Sequence, residues 1–186
     1  IMFATDRGLF FFAPIFVLGI FGMIHAFRRG INPEIMTLLG IIIANIFLYS
    51  SWGDPWGGWA FGPRYLILTM SILSLFVASY ISEGEKLLIK KIMAIPLFLY
   101  SSAIGLIGAI TTNAVPPGIE AGPLGAEANY FFNLTLMTKD ESSSFIYRTY
   151  LYYDMTLIEY FWIIFSAVAI IFLLLMFVMP RFKNAN

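Results

Sequence analysis

Residues 158–179 decide the class of fold; they read IEYFWIIFSAVAIIFLLLMFVM. About 20 apolar residues in succession are the length that an α-helix needs to cross a bilayer. Four further apolar runs lie at 9–27, 35–50, 65–82 and 92–112. The sequence therefore predicts an all-α polytopic membrane protein, a single transmembrane domain over 1–186 with about five transmembrane helices.

The composition of the whole chain agrees with a membrane location. Of its 186 residues, 60% are hydrophobic, 18% aromatic and 12% charged, whereas soluble domains carry about 25% charged residues. The formal net charge is +0 and the bases form no stripe, so we predict no nucleic-acid partner. The absence of Cys and the single His25 argue against a metal site built from these residues, and a divalent cation as cofactor is left open.

The basic residues predict the orientation of the spans. They follow the first, third and fifth runs, as Arg28, Arg29, Lys86, Lys90, Lys91, Arg181 and Lys183. Because cytoplasmic loops carry an excess of Lys and Arg, this side and the C-terminus are predicted to be cytoplasmic. The N-terminus and the loops 51–64 and 113–157 then face away from the cytoplasm. We expect an integral, multi-pass membrane protein, in the plasma membrane if the source is prokaryotic.

The loop 113–157 is too polar to form a span, and it opens with the turn signals VPPG and GPLG. Its stretch 145–153 is dense in Tyr, which favours a helix or an extended segment at the membrane interface, or simply an aromatic belt. Asn133-Leu134-Thr135 matches the glycosylation acceptor pattern, which matters only in a eukaryotic or archaeal secretory context.

Two polar residues inside the apolar runs are predicted to be structural. His25 lies on an apolar helix near the basic end of the first run. Asn45 lies inside the second run, where a buried amide most often forms a hydrogen bond with another helix.

A loop rich in Gly, Pro and Trp, residues 53–65, separates the second and third runs; it reads GDPWGGWAFGPRY. Its composition excludes a helix or a regular strand. Together with Asp6 and Arg7 before the first run, Asp54 and Arg64 would place two arginines and two carboxylates at one membrane surface. An Arg at that depth binds a lipid phosphate by bidentate hydrogen bonds, as for a polyprenyl-phosphate headgroup, or serves as an interfacial anchor.

The loop offers two further candidates. Asp54 is a weak candidate for a general base or a cation ligand, although Asp-Pro also opens turns. Trp52, Trp56 and Trp59 favour either a platform beneath a sugar ring or an interfacial belt.

Two motifs in this order resemble those of a known family. Residues 7–14 read RGLFFFAP, and about 40 residues later residues 56–65 read WGGWAFGPRY. They are similar to the RGL(F/L)xxxP and WxGGWxFGPRYL stretches of polytopic GT-C type glycosyltransferases, in particular the prokaryotic relatives of the protein mannosyltransferase family. The two motifs span about a third of the chain.

The resemblance implies a membrane enzyme that transfers a sugar from a polyprenyl-phosphate carrier, with inversion, to an acceptor glycan, lipid or protein on the non-cytoplasmic side. The family's base is an Asp in an early loop, whereas Asp6 belongs to the later RGL motif, so the catalytic residue stays unassigned. This chain would then be the C-terminal part of a longer protein, with the missing N-terminal half or other membrane subunits as partners. The resemblance implies a donor-side pocket of Arg7, Gly8, Trp56, Gly57, Gly58, Trp59, Gly62, Pro63, Arg64 and Tyr65.

The alternative function is a non-catalytic integral subunit of a larger membrane complex. It is motivated by the lack of a complete acid/base or nucleophile set in this chain. A transporter is disfavoured, because the span cores carry none of the charged residues that mark ion pathways.

Overall fold

The computed structural model describes residues 2–30, 32–52, 57–82 and 87–177. Within these ranges the chain is helical and has no strand. Four helices there are long and apolar enough to cross a membrane: Pro33–Ser50, Arg64–Ser82, Leu87–Ile110 and Leu157–Phe177. The prediction of an all-α polytopic membrane protein is confirmed, and the chain is a multi-pass membrane protein.

The described residues form eight α-helices and two short segments of other helix types. The α-helices are α1 Leu9–Phe12, α2 Phe16–Arg29, α3 Pro33–Ser50, α4 Ile67–Ser82, α5 Leu87–Ile110, α6 Gly118–Leu124, α7 Tyr130–Thr138 and α8 Leu157–Phe177. A 3₁₀ turn at Arg64–Leu66 leads into α4, and a π-helical turn at Tyr147–Leu151 precedes α8.

The first predicted span, 9–27, is divided into α1 and α2 in the structure. Pro14 lacks an N–H and disfavours helical geometry at the preceding residue, and Ala13 has φ −141° and ψ 72°. Helix α2 has 14 residues, about 21 Å at 1.5 Å per residue, which is shorter than a hydrocarbon core of about 30 Å. The segment before α1 folds back on it, because the Phe10 N–H donates to the Met2 carbonyl at 3.0 Å.

Two other spans begin earlier than predicted. Helix α3 begins at Pro33 rather than at residue 35, because the Asn32 side chain accepts a hydrogen bond from the Ile35 N–H at 2.8 Å and caps the helix. Helix α5 begins at Leu87 rather than at residue 92.

Helices α2 and α4 pack closely because α2 presents two glycines to α4. A Cβ at Gly22 would overlap with the backbone carbonyl of Phe76, and one at Gly19 would lie 3.0 Å from the Leu73 carbonyl oxygen. Small residues allow this close approach of helix backbones in membranes, where apolar burial alone does not drive association.

A polar contact joins α3 to α4 inside the apolar region. The Thr69 hydroxyl, fully buried, donates to Asn45 Oδ1 at 2.7 Å. The prediction that Asn45 forms a hydrogen bond with another helix is confirmed.

The start of α5 meets the end of α8 at one end of the bundle. The Lys91 ammonium donates to the Met176 carbonyl at 2.6 Å and satisfies a backbone group that the helix end leaves without a partner. The Lys90 ammonium lies 4.5 Å from the centre of the Tyr80 ring, which brings the end of α4 to the same place. Lys86, Arg181 and Lys183 lie outside the described residues, and the orientation in the membrane stays a prediction.

The loop 113–157 is more structured than its turn signals suggested. Val115, Pro116 and Pro117 are fully buried, and α7 packs on α5 and α8. Asn133 is also fully buried, and its amide donates to Thr111 Oγ1 at 2.8 Å and to the Thr112 carbonyl at 2.6 Å. The amide of Asn133, which the acceptor pattern pointed to, is therefore inside the folded protein and engaged in two hydrogen bonds.

The Tyr-rich stretch at 145–153 is helical over its first seven residues. Tyr147 is buried and its hydroxyl donates to the Met155 carbonyl at 3.0 Å, whereas Phe145, Tyr150 and Tyr153 are exposed. Burial raises the pKa of Tyr147, and the nearby Asp140 carboxylate raises it further. The placement of this stretch at the membrane interface stays a prediction.

Candidate functional site

The loop 57–63 is held by one aromatic anchor and three left-handed glycines. The Phe61 ring meets Phe12 edge-to-face at 5.2 Å, and a Cβ at Gly108 of α5 would overlap with the same ring. Gly57, Gly58 and Gly62 have φ of 76°, 64° and 63°, a region that side chains other than glycine rarely adopt. The backbone therefore turns tightly before the start of α4 and brings Arg64 to the rim of the bundle.

Arg7 joins three segments that lie far apart in the sequence. Its guanidinium donates to the Gly58 carbonyl through Nη1 and to the Val115 carbonyl through Nη2, at 2.8 Å for the latter. The Val115 carbonyl also accepts the Ala60 N–H at 3.1 Å. Arg7 is only 6% exposed, so the side chain is a buried clamp between the N-terminal segment and the two loops.

Arg64 is placed differently from Arg7. Its guanidinium carbon lies 5.2 Å from the centre of the Tyr65 ring, which itself stacks on Tyr49 at 4.5 Å with an angle of 4°. Arg64 is exposed, and its guanidinium donates no hydrogen bond to any residue in the described part of the chain. A stacked ring holds this guanidinium in place while its N–H groups stay open to a ligand.

The two arginines line one cavity of about 510 Å³. Its lining residues are Ala4, Asp6, Arg7, Gly62, Pro63, Arg64, Tyr65, Leu66, Gly118 and Ile119. Asp6 supplies the one carboxylate among them, and its Oδ2 lies against Gly118, 3.2 Å from where a Cβ would stand. The lining residues that the structure describes thus carry two guanidinium groups and one carboxylate, a net positive charge that favours an anion such as a phosphate.

An apolar groove of about 210 Å³ adjoins this cavity. The two spaces share Gly62, Pro63 and Arg64, and the groove continues along Ile67 of α4 and Ile104 of α5. A charged cavity at the end of the spans thus lies next to an apolar groove between two spans. This arrangement suits a ligand with an anionic head and an apolar tail.

Comparisons in sequence and structure give no relative from which the function of this chain could be inferred. No protein-family model, no curated protein and no solved structure matches it. The resemblance of the motifs at 7–14 and 56–65 to GT-C glycosyltransferases therefore stays a prediction, and the function has to be argued from the site itself.

The residues that the resemblance implies do not all lie on the cavity. Arg7, Gly62, Pro63, Arg64 and Tyr65 line it. The others that the structure describes are Gly8, Gly57, Gly58 and Trp59, which are not lining residues. Trp56 and the weak candidate Asp54 lie outside the described residues.

The described residues away from the cavity have structural roles that their contacts explain. A Cβ at Gly8 would overlap with the Ala4 carbonyl, whose oxygen accepts the Gly8 N–H at 2.7 Å, so Gly8 allows the tight turn that aims Arg7. Gly57 lies against the Arg64 and Tyr65 side chains, where a Cβ would come within 3.1 Å of Arg64 Nε. Trp59 donates its indole N–H to Glu120 Oε2 at 2.7 Å.

The sequence reasoning placed Asp6 near the two arginines without giving it a role, and it did not place Gly118 and Ile119 on the site. Gly118 belongs to the VPPG signal, which was interpreted only as a turn. The prolines of this signal are buried, and α6 lies beside the N-terminal segment, where Gly118 and Ile119 line the cavity together with Asp6.

A cation site is not built into the described residues. Nowhere in 2–30, 32–52, 57–82 and 87–177 do three His, Cys, Asp or Glu side chains meet in a geometry that holds a metal ion. The divalent cation left open by the sequence stays untested, because Asp54 lies outside these ranges.

Proposed function

We propose that this chain forms the donor-phosphate pocket of a membrane glycosyltransferase that uses a polyprenyl-phosphate-linked sugar on the non-cytoplasmic side. The observation that carries the proposal is that the arginine cavity and the apolar groove are neighbours and share Gly62, Pro63 and Arg64 as lining residues. The cavity has the charge for the phosphate, and the groove has the surface for the first part of the lipid tail.

The two arginines have separate roles in this proposal. Arg64 contacts the phosphate directly, because it lines the cavity, is exposed and has its guanidinium over the Tyr65 ring. Arg7 shapes the cavity by holding the Gly58 and Val115 carbonyls, and it adds positive charge from a buried position.

Among the described residues that line this cavity, Asp6 is the one carboxylate that can accept a proton from the acceptor. Its position on the cavity, and not the family resemblance, makes it our candidate for the base that the sequence left unassigned. In the proposed transfer, the acceptor hydroxyl gives its proton to Asp6, its oxygen bonds to the anomeric carbon of the sugar, and the bond from that carbon to the phosphate oxygen breaks. The lipid phosphate leaves with the electron pair and stays bound to Arg64. Asp6→Asn should then abolish transfer while leaving binding of polyprenyl phosphate within about twofold.

Arg64 provides the test of the phosphate pocket. In the full-length protein, Arg64→Ala should weaken binding of polyprenyl phosphate about ten- to a hundredfold, since a charged hydrogen bond contributes about 1.5–3 kcal/mol. Arg64→Lys keeps the positive charge but loses the bidentate geometry of the guanidinium, so its affinity for polyprenyl phosphate should lie between those of the wild type and Arg64→Ala. Arg148→Ala, at an exposed base of the loop 113–157, is the matched control. Equal binding by all four proteins in native mass spectrometry would remove Arg64 from the site.

The second candidate is a non-catalytic integral subunit of a larger membrane complex. It is supported by two spans with few inward-facing positions, since 6% of the α3 window and 11% of the α8 window are buried. Apolar faces of this kind accept either lipid or partner helices. Purification in mild detergent distinguishes the two functions: a stoichiometric membrane partner with no binding of polyprenyl phosphate favours the subunit.

A further inference from the structure

Trp59 lies at the surface of the protein in a position that its neighbours fix from both sides. The preceding carbonyl, of Gly58, accepts a hydrogen bond from Arg7, and the following N–H, of Ala60, donates to Val115. The Trp59 side chain is 47% exposed. An exposed aromatic ring on so constrained a backbone is preorganised, so little conformational entropy of the protein is lost when a ligand stacks on it.

The edge of the indole is held by a carboxylate. Trp59 Nε1 donates to Glu120 Oε2 at 2.7 Å, and Glu120 Oε1 accepts no hydrogen bond from the described residues. No aromatic ring among those residues stacks on Trp59. The pair therefore presents an open aromatic face beside an open hydrogen-bond acceptor.

The charge beside the ring decides between two classes of ligand. An interfacial Trp anchors in the lipid headgroups through its N–H, but here Glu120 takes that N–H and its negative charge repels lipid phosphates. A neutral saccharide fits both features, because its C–H face stacks on the indole and its hydroxyls donate to the carboxylate.

The pair adjoins the charged cavity through α6. Glu120 follows Gly118 and Ile119, which line that cavity, in the same short helix. We propose that Trp59 and Glu120 form a binding shelf for a neutral saccharide, which serves as the acceptor of the transfer. The acceptor role rests on the proposed function, whereas saccharide binding by the shelf does not.

Direct binding tests the shelf. Full-length protein in nanodiscs, free of glycoside detergents, is titrated with maltose, cellobiose and mannobiose, and binding is followed by saturation-transfer NMR. At least one disaccharide should bind, and Trp59→Ala should weaken it about tenfold or more, while Glu120→Gln should weaken it about threefold. Trp59→Phe, which keeps a smaller ring, guards against misfolding of the alanine variant. Trp52→Ala is the matched control, because Trp52 is 56% exposed.

The outcomes separate this inference from the proposed function. Absence of binding by all three disaccharides, or equal loss with Trp52→Ala and Trp59→Ala, overturns the shelf. So does quenching of Trp59 fluorescence by headgroup-labelled lipid that no saccharide relieves, because the ring is then a membrane anchor. Saccharide binding that needs Trp59, in a protein that does not bind polyprenyl phosphate, supports the shelf and rejects the donor pocket.

Discussion

Replacement of Arg7 should destabilise the protein, whereas replacement of Arg64 should not. Arg7 is 6% exposed and donates to two backbone carbonyls, of Gly58 and Val115. Charged hydrogen bonds contribute about 1.5–3 kcal/mol each, and removal of the buried cation recovers part of its desolvation cost. Two such bonds sum to about 3–6 kcal/mol before that recovery, so we expect Arg7→Ala to lose about 3 kcal/mol, which corresponds to a fall in melting temperature of ~6–12 °C for a chain of this size.

The assay is thermal unfolding of the purified protein in one detergent, with intrinsic fluorescence as the signal. Arg7→Lys should recover little of the loss, since one ammonium does not reach two carbonyls in the fork geometry of a guanidinium. Arg64→Ala is the control and should melt within about 2 °C of the wild type, because an exposed substitution changes stability by about 0.5 kcal/mol or less. An Arg7→Ala protein that melts with the wild type would refute the clamp.

Three further predictions concern the bundle and the long loop. Gly22→Ala should cost about 1–3 kcal/mol by forcing α2 away from the α4 backbone, while Gly40→Ala, where a Cβ meets nothing within 4 Å, should be neutral or stabilising in the same unfolding assay. Thr69→Val should cost about 0.5–2 kcal/mol because Asn45 loses its hydrogen-bond donor; an unchanged melting temperature would mean that this contact contributes nothing. The raised pKa of Tyr147 means that folding favours the neutral phenol, so its stabilisation is complete below about pH 10 and is lost as the pH rises through the raised value. Tyr147→Phe should abolish that alkaline loss, as followed by unfolding at pH 9 to 12.

The spans could be predicted because hydropathy is a local property of the sequence. Runs of apolar residues over bilayer length become helices whatever surrounds them, since the bilayer leaves the backbone no other way to satisfy its hydrogen bonds. The division of the first span was also signalled locally: Pro14 and the residue before it oppose a continuous helix. The pair Gly19 and Gly22 signalled close packing in the same way.

The candidate site could be predicted only in part, because it is assembled from segments distant in the sequence. The motifs drew attention to Arg7 and Arg64, and the structure brings both to one cavity. That Arg7 binds the carbonyl of Val115, 108 residues away, depends on how two loops meet above the bundle. No periodicity or spacing encodes that meeting, and for the same reason the contact between Trp59 and Glu120 was not expected.

The buried Arg7 and the exposed Arg64 should affect the proposed transfer in different ways. A sugar linked to a polyprenyl phosphate carries one negative charge on the phosphodiester, and the departing lipid phosphate gains more as the bond to the sugar breaks. Among the lining residues that the structure describes, two arginines and one carboxylate match the single negative charge of the bound donor. Once Asp6 has taken the proton of the acceptor, the two arginines are left uncompensated, and the cavity then matches the departing lipid phosphate better than the bound donor. A buried clamp such as Arg7 keeps that field fixed in direction, so it needs no reorganisation during the reaction. Loss of Arg7 should then slow transfer by more than it weakens donor binding, whereas loss of Arg64 affects both.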